Sequence, residues 1–326
     1  MSFQRSRGWT VPLILAWSLA VACETATLPT GPGDPEPGDP VLPGDPVPPP
    51  PPAPPPSFTT VGRLAFVSTR DGEPYIYLMH ADGTDLRRLA RGEAPAWSPD
   101  GTRIAFHTYN GTLYEVRVVE ADGSTERLVV AGGKTPAWSH DGSRIAFIRD
   151  ASVYVVDADG SGERLLVDIP AVRALGPHLA NQTMLFRDPT WSRDGTSLAV
   201  SLNSRILVTD GDGSAPRFPE QDANAWHPAW SPDGSRIVVE RGARIASFAP
   251  DGSALTIHSF EGFQPEWSSD GTNIAYTSFD GCVPSWYACP SAIWLGDPAS
   301  DQSVRLLADP GGAYSDYDPA WWGADQ

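Results

Sequence analysis

The tripeptide Pro-x-Trp recurs six times in this 326-residue chain. The copies are Pro95-Ala96-Trp97, Pro136-Ala137-Trp138, Pro189-Thr190-Trp191, Pro228-Ala229-Trp230, Pro265-Glu266-Trp267 and Pro319-Ala320-Trp321. Five of them run on into a Ser-x-Asp-Gly turn and an apolar stretch, as in Trp97-Ser98-Pro99-Asp100-Gly101-Thr102-Arg103-Ile104-Ala105-Phe106. The sixth stops at Trp322-Gly323-Ala324-Asp325-Gln326, while a strand of the missing kind, Gly62-Arg63-Leu64-Ala65-Phe66-Val67, stands at the other end of the domain. A repeat whose last copy is completed by its own beginning is expected to close into a ring.

The tryptophans lie 41, 53, 39, 37 and 54 residues apart, a period suited to one four-stranded propeller blade. The unit at Trp97 predicts strands over 94–98, 103–108, 113–119 and 125–130. Asp100-Gly101 parts the first two and Asp122-Gly123 the last two. Asp-Gly favours tight hairpins, because glycine takes positive φ without a Cβ clash and aspartate tolerates it. The same pair of turns recurs at Asp141-Gly142 and Asp159-Gly160, and at Asp233-Gly234 and Asp251-Gly252. Runs such as Arg144-Ile145-Ala146-Phe147-Ile148 are β-branched, aromatic and too short for helices. Residues 62–90 supply three strands and the C-terminus one, which together make a sixth blade. The expected fold is all-β, a six-bladed β-propeller over 58–326 in which the N- and C-terminal strands share one blade. Radial closure leaves only short strand edges, whereas a linear solenoid would want capping repeats at its ends.

Trp-Ser-Pro-Asp-Gly-x-x-Ile-Ala-Phe, together with Tyr75-Ile76-Tyr77-Leu78-Met79-His80-Ala81-Asp82-Gly83-Thr84, resembles the repeat of TolB-type (PD40, WD40-like) β-propellers over about 62–326. His140, Arg193 and Ser269 replace the turn proline in three units. TolB carries an α/β domain ahead of its propeller, and the segment ahead of this one reads differently. Residues 1–22 have the pattern of a lipoprotein-type signal peptide: basic Arg5 and Arg7, then an apolar stretch over 11–22 too short to span a bilayer. Leu19-Ala20-Val21-Ala22-Cys23 resembles a lipoprotein box, with Cys23 as the lipidated residue; ordinary secretion with cleavage near Ala22 is the alternative. Glu24 follows, without the aspartate associated with inner-membrane retention. Residues 23–57 are then a tether, with Gly33-Asp34-Pro35, Gly38-Asp39-Pro40, Gly44-Asp45-Pro46 and nearly unbroken prolines over 48–56. Such a composition cannot bury a core; as polyproline II, ~28 residues reach up to roughly 85 Å. The expected location is the bacterial cell envelope, lipid-anchored, at the outer membrane facing periplasm or cell surface.

The net charge of −17 argues against nucleic acid, whose phosphates it repels. Much of it belongs to the Asp-Gly turns. With Cys23 lipidated, Cys282 and Cys289 remain as a pair within one loop, and an oxidising compartment favours a local disulfide over free thiols or a metal pair.

Turns within a blade emerge on one face; second-to-third loops and blade crossings emerge on the other. The long intervals put the 282–289 loop and the 168–188 crossing on that second face, with Trp226, Trp286, Tyr287, Tyr314 and Tyr317 as candidate partner-binding aromatics. Loops on a rigid scaffold are where binding concentrates, although insertions can also drift freely there. The residue before each Pro-x-Trp is expected to ring the channel mouth: Ala94, Thr135, Asp188, His227, Gln264 and Asp318. Two carboxylates, an imidazole and an amide suit a cation or a polar ligand tip; innermost positions can also be merely water-lined. The repeat tryptophans Trp97, Trp138, Trp191, Trp230, Trp267 and Trp321 are expected to pack between blades.

The sequence has no Gly-x-Ser-x-Gly elbow, phosphate loop or His-Glu helix pattern. The expected function is a membrane-anchored envelope module, monomeric, that offers its loop-rich face to a protein, peptide or glycan and needs no cofactor, with bound Ca²⁺ left open. The alternative is an envelope hydrolase or lyase using Asp188, His227 and Asp318 at the channel mouth; propellers host many functions.

Overall fold

Residues 62–176, 179, 183–219, 224–279, 291–306 and 314–323 are described by a computed structural model. The expectations placed on the signal peptide, the tether, Cys23, Cys282, Cys289, Trp286 and Tyr287 lie outside these residues.

The chain forms six blades. Blade II shows the plan, with Glu93–Trp97, Arg103–Tyr109, Tyr114–Glu120 and Glu126–Ala131 as an antiparallel meander from the axis outward. Blade I is ordered Asp316–Trp322, Arg63–Ser68, Tyr75–His80, Arg87–Arg91, so its innermost strand comes from the C-terminal end. There Leu64 pairs with Trp321 and Arg63 with Trp322. The innermost strands of blades III to VI are Lys134–Trp138, Phe186–Trp191, Ala225–Trp230 and Phe263–Trp267. Those six strands neighbour one another in cyclic order. Blade IV has three strands, and its fourth is reduced to a single bridge between Val208 and Arg217.

The repeated turn explains the repeated sequence. Ser98 Oγ donates to Asp100 Oδ1 (2.5 Å), the same oxygen accepts the Thr102 N–H, and Ser98 Oγ accepts the Arg103 N–H (2.9 Å). Asp141, Asp194, Asp233 and Asp270 hold the same arrangement in blades III to VI. Hydrogen bonds to the charged carboxylate hold Asp141 down to about 2, the Ser139 hydroxyl contributing most.

The core is divided among the blade junctions. Ala65, Ile76 and Leu78 of blade I pack with Trp97, Ile104 and Phe106 of blade II, and equivalent seams join each successive pair. The repeat tryptophans belong to these seams, five of them buried and Trp230 half-buried. At three junctions an arginine from the preceding blade covers the indole: Arg63 over Trp97 (5.0 Å), Arg103 over Trp138 (4.9 Å) and Arg144 over Trp191 (5.1 Å). The matching positions elsewhere are Ser197, Asn273 and Arg236, and Arg236 turns instead to Ser247, Ala254 and Thr256. Because a guanidinium over an indole face is worth about 0.5–2 kcal/mol and its stem adds packing, Arg103→Ala is expected to lower the unfolding free energy by roughly 1 kcal/mol. Urea denaturation followed by tryptophan fluorescence checks this, and Arg103→Lys should recover only part of the loss.

Candidate functional site

Every innermost strand carries the same defect. Pairing with the second strand skips the residues around x-Pro, as between Glu93 and Ala96, Lys134 and Ala137, or Trp226 and Ala229. Proline has no N–H to give to a ladder, so a bulge is one of the few strand positions it fits. The residue ahead of it is forced into left-handed backbone: Ala94 (φ 52°), Thr135 (45°), Asp188 (50°), His227 (48°), Gln264 (50°) and Asp318 (58°). None is glycine, and such conformations cost of order 1 kcal/mol or more each. Bulges re-aim side chains, and here all six residues line one cavity of about 260 Å³ on the axis. They follow the blade crossings, which places this cavity on the crossing-loop face. A second recess of about 160 Å³, lined by the repeat tryptophans with Ser98, Pro99, His140 and Arg193, lies toward the turn face.

The mouth is electrostatically crowded. His227 Nδ1 lies 2.9 Å from Glu240 Oε2, and its Nε2 lies 3.3 Å from Asp188 Oδ2. Burial works against the charged ring. The Glu240 hydrogen bond, with the charges of Asp188, Glu240 and Asp318, outweighs it and raises His227 to about 9. Burial and the nearby Asp188 carboxylate push Asp318 up to about 6, opposed by His227, His107 and the Ala94 N–H. Glu266 sits deeper and lines both the mouth and the turn-face recess. Burial, then the charge of Asp318, raise it to about 8. Gln264 is engaged in the wall, its Oε1 accepting from the Asp318 N–H and the Thr277 hydroxyl (both 3.2 Å). Toward blade II, Glu93 accepts from the Tyr317 hydroxyl (3.2 Å) and lies 3.6 Å from His107 Nε2. His107 holds Glu93 below the usual carboxylate range against its burial. Among the described residues no three His, Cys, Asp or Glu side chains are placed to hold one metal ion.

Thr135, Asp188, His227, Gln264 and Asp318 are thus brought together. Among the described residues, the aromatic candidates Trp226, Tyr314 and Tyr317 are not gathered in the same way. Tyr317 is tied to Glu93, Tyr314 lies under the Arg70 guanidinium (4.7 Å), and Trp226 is half-buried opposite Glu240. The 168–188 crossing is more than a loop. Asp168 caps a short helix, Ile169–Arg173, through the Ala171 N–H (2.8 Å), and Val172, Leu179, Met184 and Phe186 enter the seam of blades III and IV. Glu240, Glu266, Glu93 and His107 escaped the sequence reading. Glu266 left a signal there, because the other five units have alanine or threonine at its position.

No family model and no curated protein sequence matches this chain. Solved structures do. TolB from Acinetobacter baumannii superposes with a TM-score of 0.64 at 15% identity, over 80% of this chain and 66% of that one, so the match spans just under two thirds of that protein. A chain of the Nidogen/Laminin complex gives 0.62 at 13% identity over 79% and 97%. A TolB-type protein from Agrobacterium tumefaciens gives 0.56 at 18% identity over 81% and 99%. At these identities the likeness shows architecture: the chain is a six-bladed β-propeller of TolB-like build.

Proposed function

We propose that this chain is a binding module of the bacterial cell envelope, held to its membrane by lipid on Cys23 and a proline-rich tether, with the crossing-loop face turned to a protein, peptide or glycan. The observation that carries the reading is the axial cavity, to which each blade contributes one mouth residue, five of the six polar, on the face that also bears the long crossings. A rigid ring with a preformed polar cavity needs little ordering to bind. The lipoprotein-like leader and the likeness to TolB support an envelope location.

The hydrolase or lyase alternative is disfavoured at the same site. His227, held between Glu240 and Asp188 as an imidazolium, is a poor general base near neutral pH, and the serine hydroxyl it touches, Ser201 Oγ, meets its backbone N–H and not its ring.

Two variants test the proposal: Asp188→Asn with Asp318→Asn in the cavity, and Trp286→Ala with Tyr287→Ala in the loop. Crosslinking capture from native envelopes, read by mass spectrometry, is expected to fall at least tenfold in both, with melting temperatures at neutral pH not lowered. Unchanged capture in both variants overturns the reading. A turnover signal lost selectively in His227→Ala would favour the enzyme.

A further inference from the structure

Five of the six Pro-x-Trp units have alanine or threonine at the middle position: Ala96, Ala137, Thr190, Ala229 and Ala320. The sixth places Glu266 there. A carboxyl group stands where the other units carry a methyl, and it lines the cavities on both sides. Among the described residues it has neither a hydrogen-bond donor nor an ion-pair partner, and its nearest charged influence is another acid, Asp318. Glu266 is half-buried, and a partly desolvated carboxyl without a partner carries a folding cost. Alanine, the residue of four sister units, would remove that cost without altering the repeat.

The charges around Glu266 define what would complete it. Asp188 and Glu240 are both engaged with His227, which offsets them in part. Asp318 and Glu266 are left facing the lumen without a cation of their own. His107 and Lys134 stand toward blade II, where they attend Glu93 and the Tyr114 ring (3.7 Å from Lys134 Nζ). The prolines of the six units lie between the mouth residues and Glu266, and Ala96, Ala137 and Ala320 stand level with it. About 260 Å³ falls below the ~300–1,000 Å³ of a site for a drug-sized ligand. It suits a few methylenes ending in a charged head, in the way long basic side chains lay their stems on apolar surface.

From these observations, and resting on the binding-module reading above, we propose that the axial cavity is a socket for one ammonium or guanidinium group, presented on a lysine or arginine side chain of an envelope polypeptide, with Glu266 and Asp318 as its acceptors. The alkyl stem lies along the prolines and the head reaches the acid pair. An ammonium brings three donors and asks only for acceptors within reach, whereas a bare divalent ion needs a set of ligands that the described residues do not assemble. Near neutral pH Glu266 holds its proton. Entry of the cation favours the carboxylate, so the proton leaves to solvent as the charge arrives, one for one.

Isothermal titration calorimetry on the full chain tests this with three probes: Nα-acetyl-lysine amide, Nα-acetyl-arginine amide and the neutral Nα-acetyl-norleucine amide. At pH 7 one cationic probe is expected to bind per chain, at least tenfold tighter than the norleucine probe. Enthalpies in phosphate and Tris should differ by the release of close to one proton. Glu266→Ala should weaken the cationic probes at least tenfold and abolish the proton release, while its melting temperature rises. That opposite movement separates a site from a folding defect. Equal binding of the norleucine probe, unchanged affinity in Glu266→Ala, no binding by the parent chain, or stoichiometric displacement of the lysine probe by Ca²⁺ would each overturn the proposal. Capture of an envelope partner alongside any of those results leaves the broader binding reading standing and removes this one.

Discussion

A chain ended after Tyr317 is expected to lose its cooperative thermal transition altogether, not to melt as a slightly shorter propeller. The nine residues removed are 318–326, and those described include most of the axial strand of blade I. That strand pairs Trp322 with Arg63, Trp321 with Leu64 and Ala320 with Ala65. Trp321 is buried in the seam between blades VI and I, among Leu64, Phe66, Ala275 and Ile293. Trp322 donates its indole N–H to the Pro99 carbonyl (3.0 Å) and lies against Trp97, with the Arg63 guanidinium beside both rings at 4.6 and 5.0 Å. Removing a buried tryptophan alone costs about 3–5 kcal/mol. The second tryptophan, its hydrogen bond and the strand pairing bring the loss to roughly the whole 5–15 kcal/mol that holds a typical domain together. In a solenoid the same cut would fray one end repeat; in a ring it opens two seams at once. Circular dichroism melting and limited proteolysis check the result, and a truncated chain with the parent's melting temperature would contradict it. Asp316→Ala offers a milder version. Asp316 is buried and pairs with Arg70 at 2.9 Å, so its loss leaves a guanidinium largely enclosed and unpaired, at about 3–5 kcal/mol.

The repeat made the blades legible, since each Ser-x-Asp-Gly turn is closed by its own serine, aspartate and following hydroxyl and needs nothing from the rest of the chain. The position of the six residues before Pro-x-Trp was legible for the same reason: register counted from a turn fixes which end of a strand meets the axis. Their backbone was not. The left-handed φ at Ala94 or Thr135 follows from a bulge, and a bulge depends on how two strands slide past each other, which alternation along one strand does not encode. Glu240 was missed on that account, because only the slipped register of blade V brings it against His227. Tyr314 and Tyr317 stay partly exposed, and their contacts with Arg70 and Glu93 were not legible because they join distant parts of the chain. The arginine–tryptophan contacts were hidden because they join residues of different blades, and their absence where Ser197 and Asn273 stand has no marker in the turn.

The axial cavity should make the propeller most stable on the acid side of neutrality. Three of its groups have folded-state pKa values above their ordinary ones: Glu266 at about 8 against 4.5, Asp318 at about 6 against 3.8, and His227 at about 9 against 6.5. Each therefore binds its proton more tightly folded than unfolded. Wherever the native state holds more protons, stability falls as pH rises. The Asp318 contribution is complete below pH 3.8 and fades through about 6; that of Glu266 is complete below 4.5 and fades through about 8; that of His227 is complete below 6.5 and fades through about 9. The turn aspartates act with the opposite sign. Asp141, held at about 2, and Asp100, Asp194 and Asp233, all lowered, contribute stability that is present above 3.8 and lost as pH falls through their folded values. The two sets meet at a maximum near pH ~5. From pH 6 to 9 a loss of roughly 3 kcal/mol is expected, kept well below the sum of the separate shifts because Glu266, Asp318 and His227 are coupled. For a domain of this size that lowers the melting temperature by about 5–12 °C. Differential scanning calorimetry across that range reads the slope. Glu266→Gln removes one titrating group and His227→Gln another, so each should flatten the profile above pH 6 while leaving the acid limb, which belongs to the turns, in place. A parent profile level from pH 6 to 9 would mean that the acids of the cavity are paired with a bound cation or solvated by water, and profiles taken with and without Nα-acetyl-lysine amide would tell which.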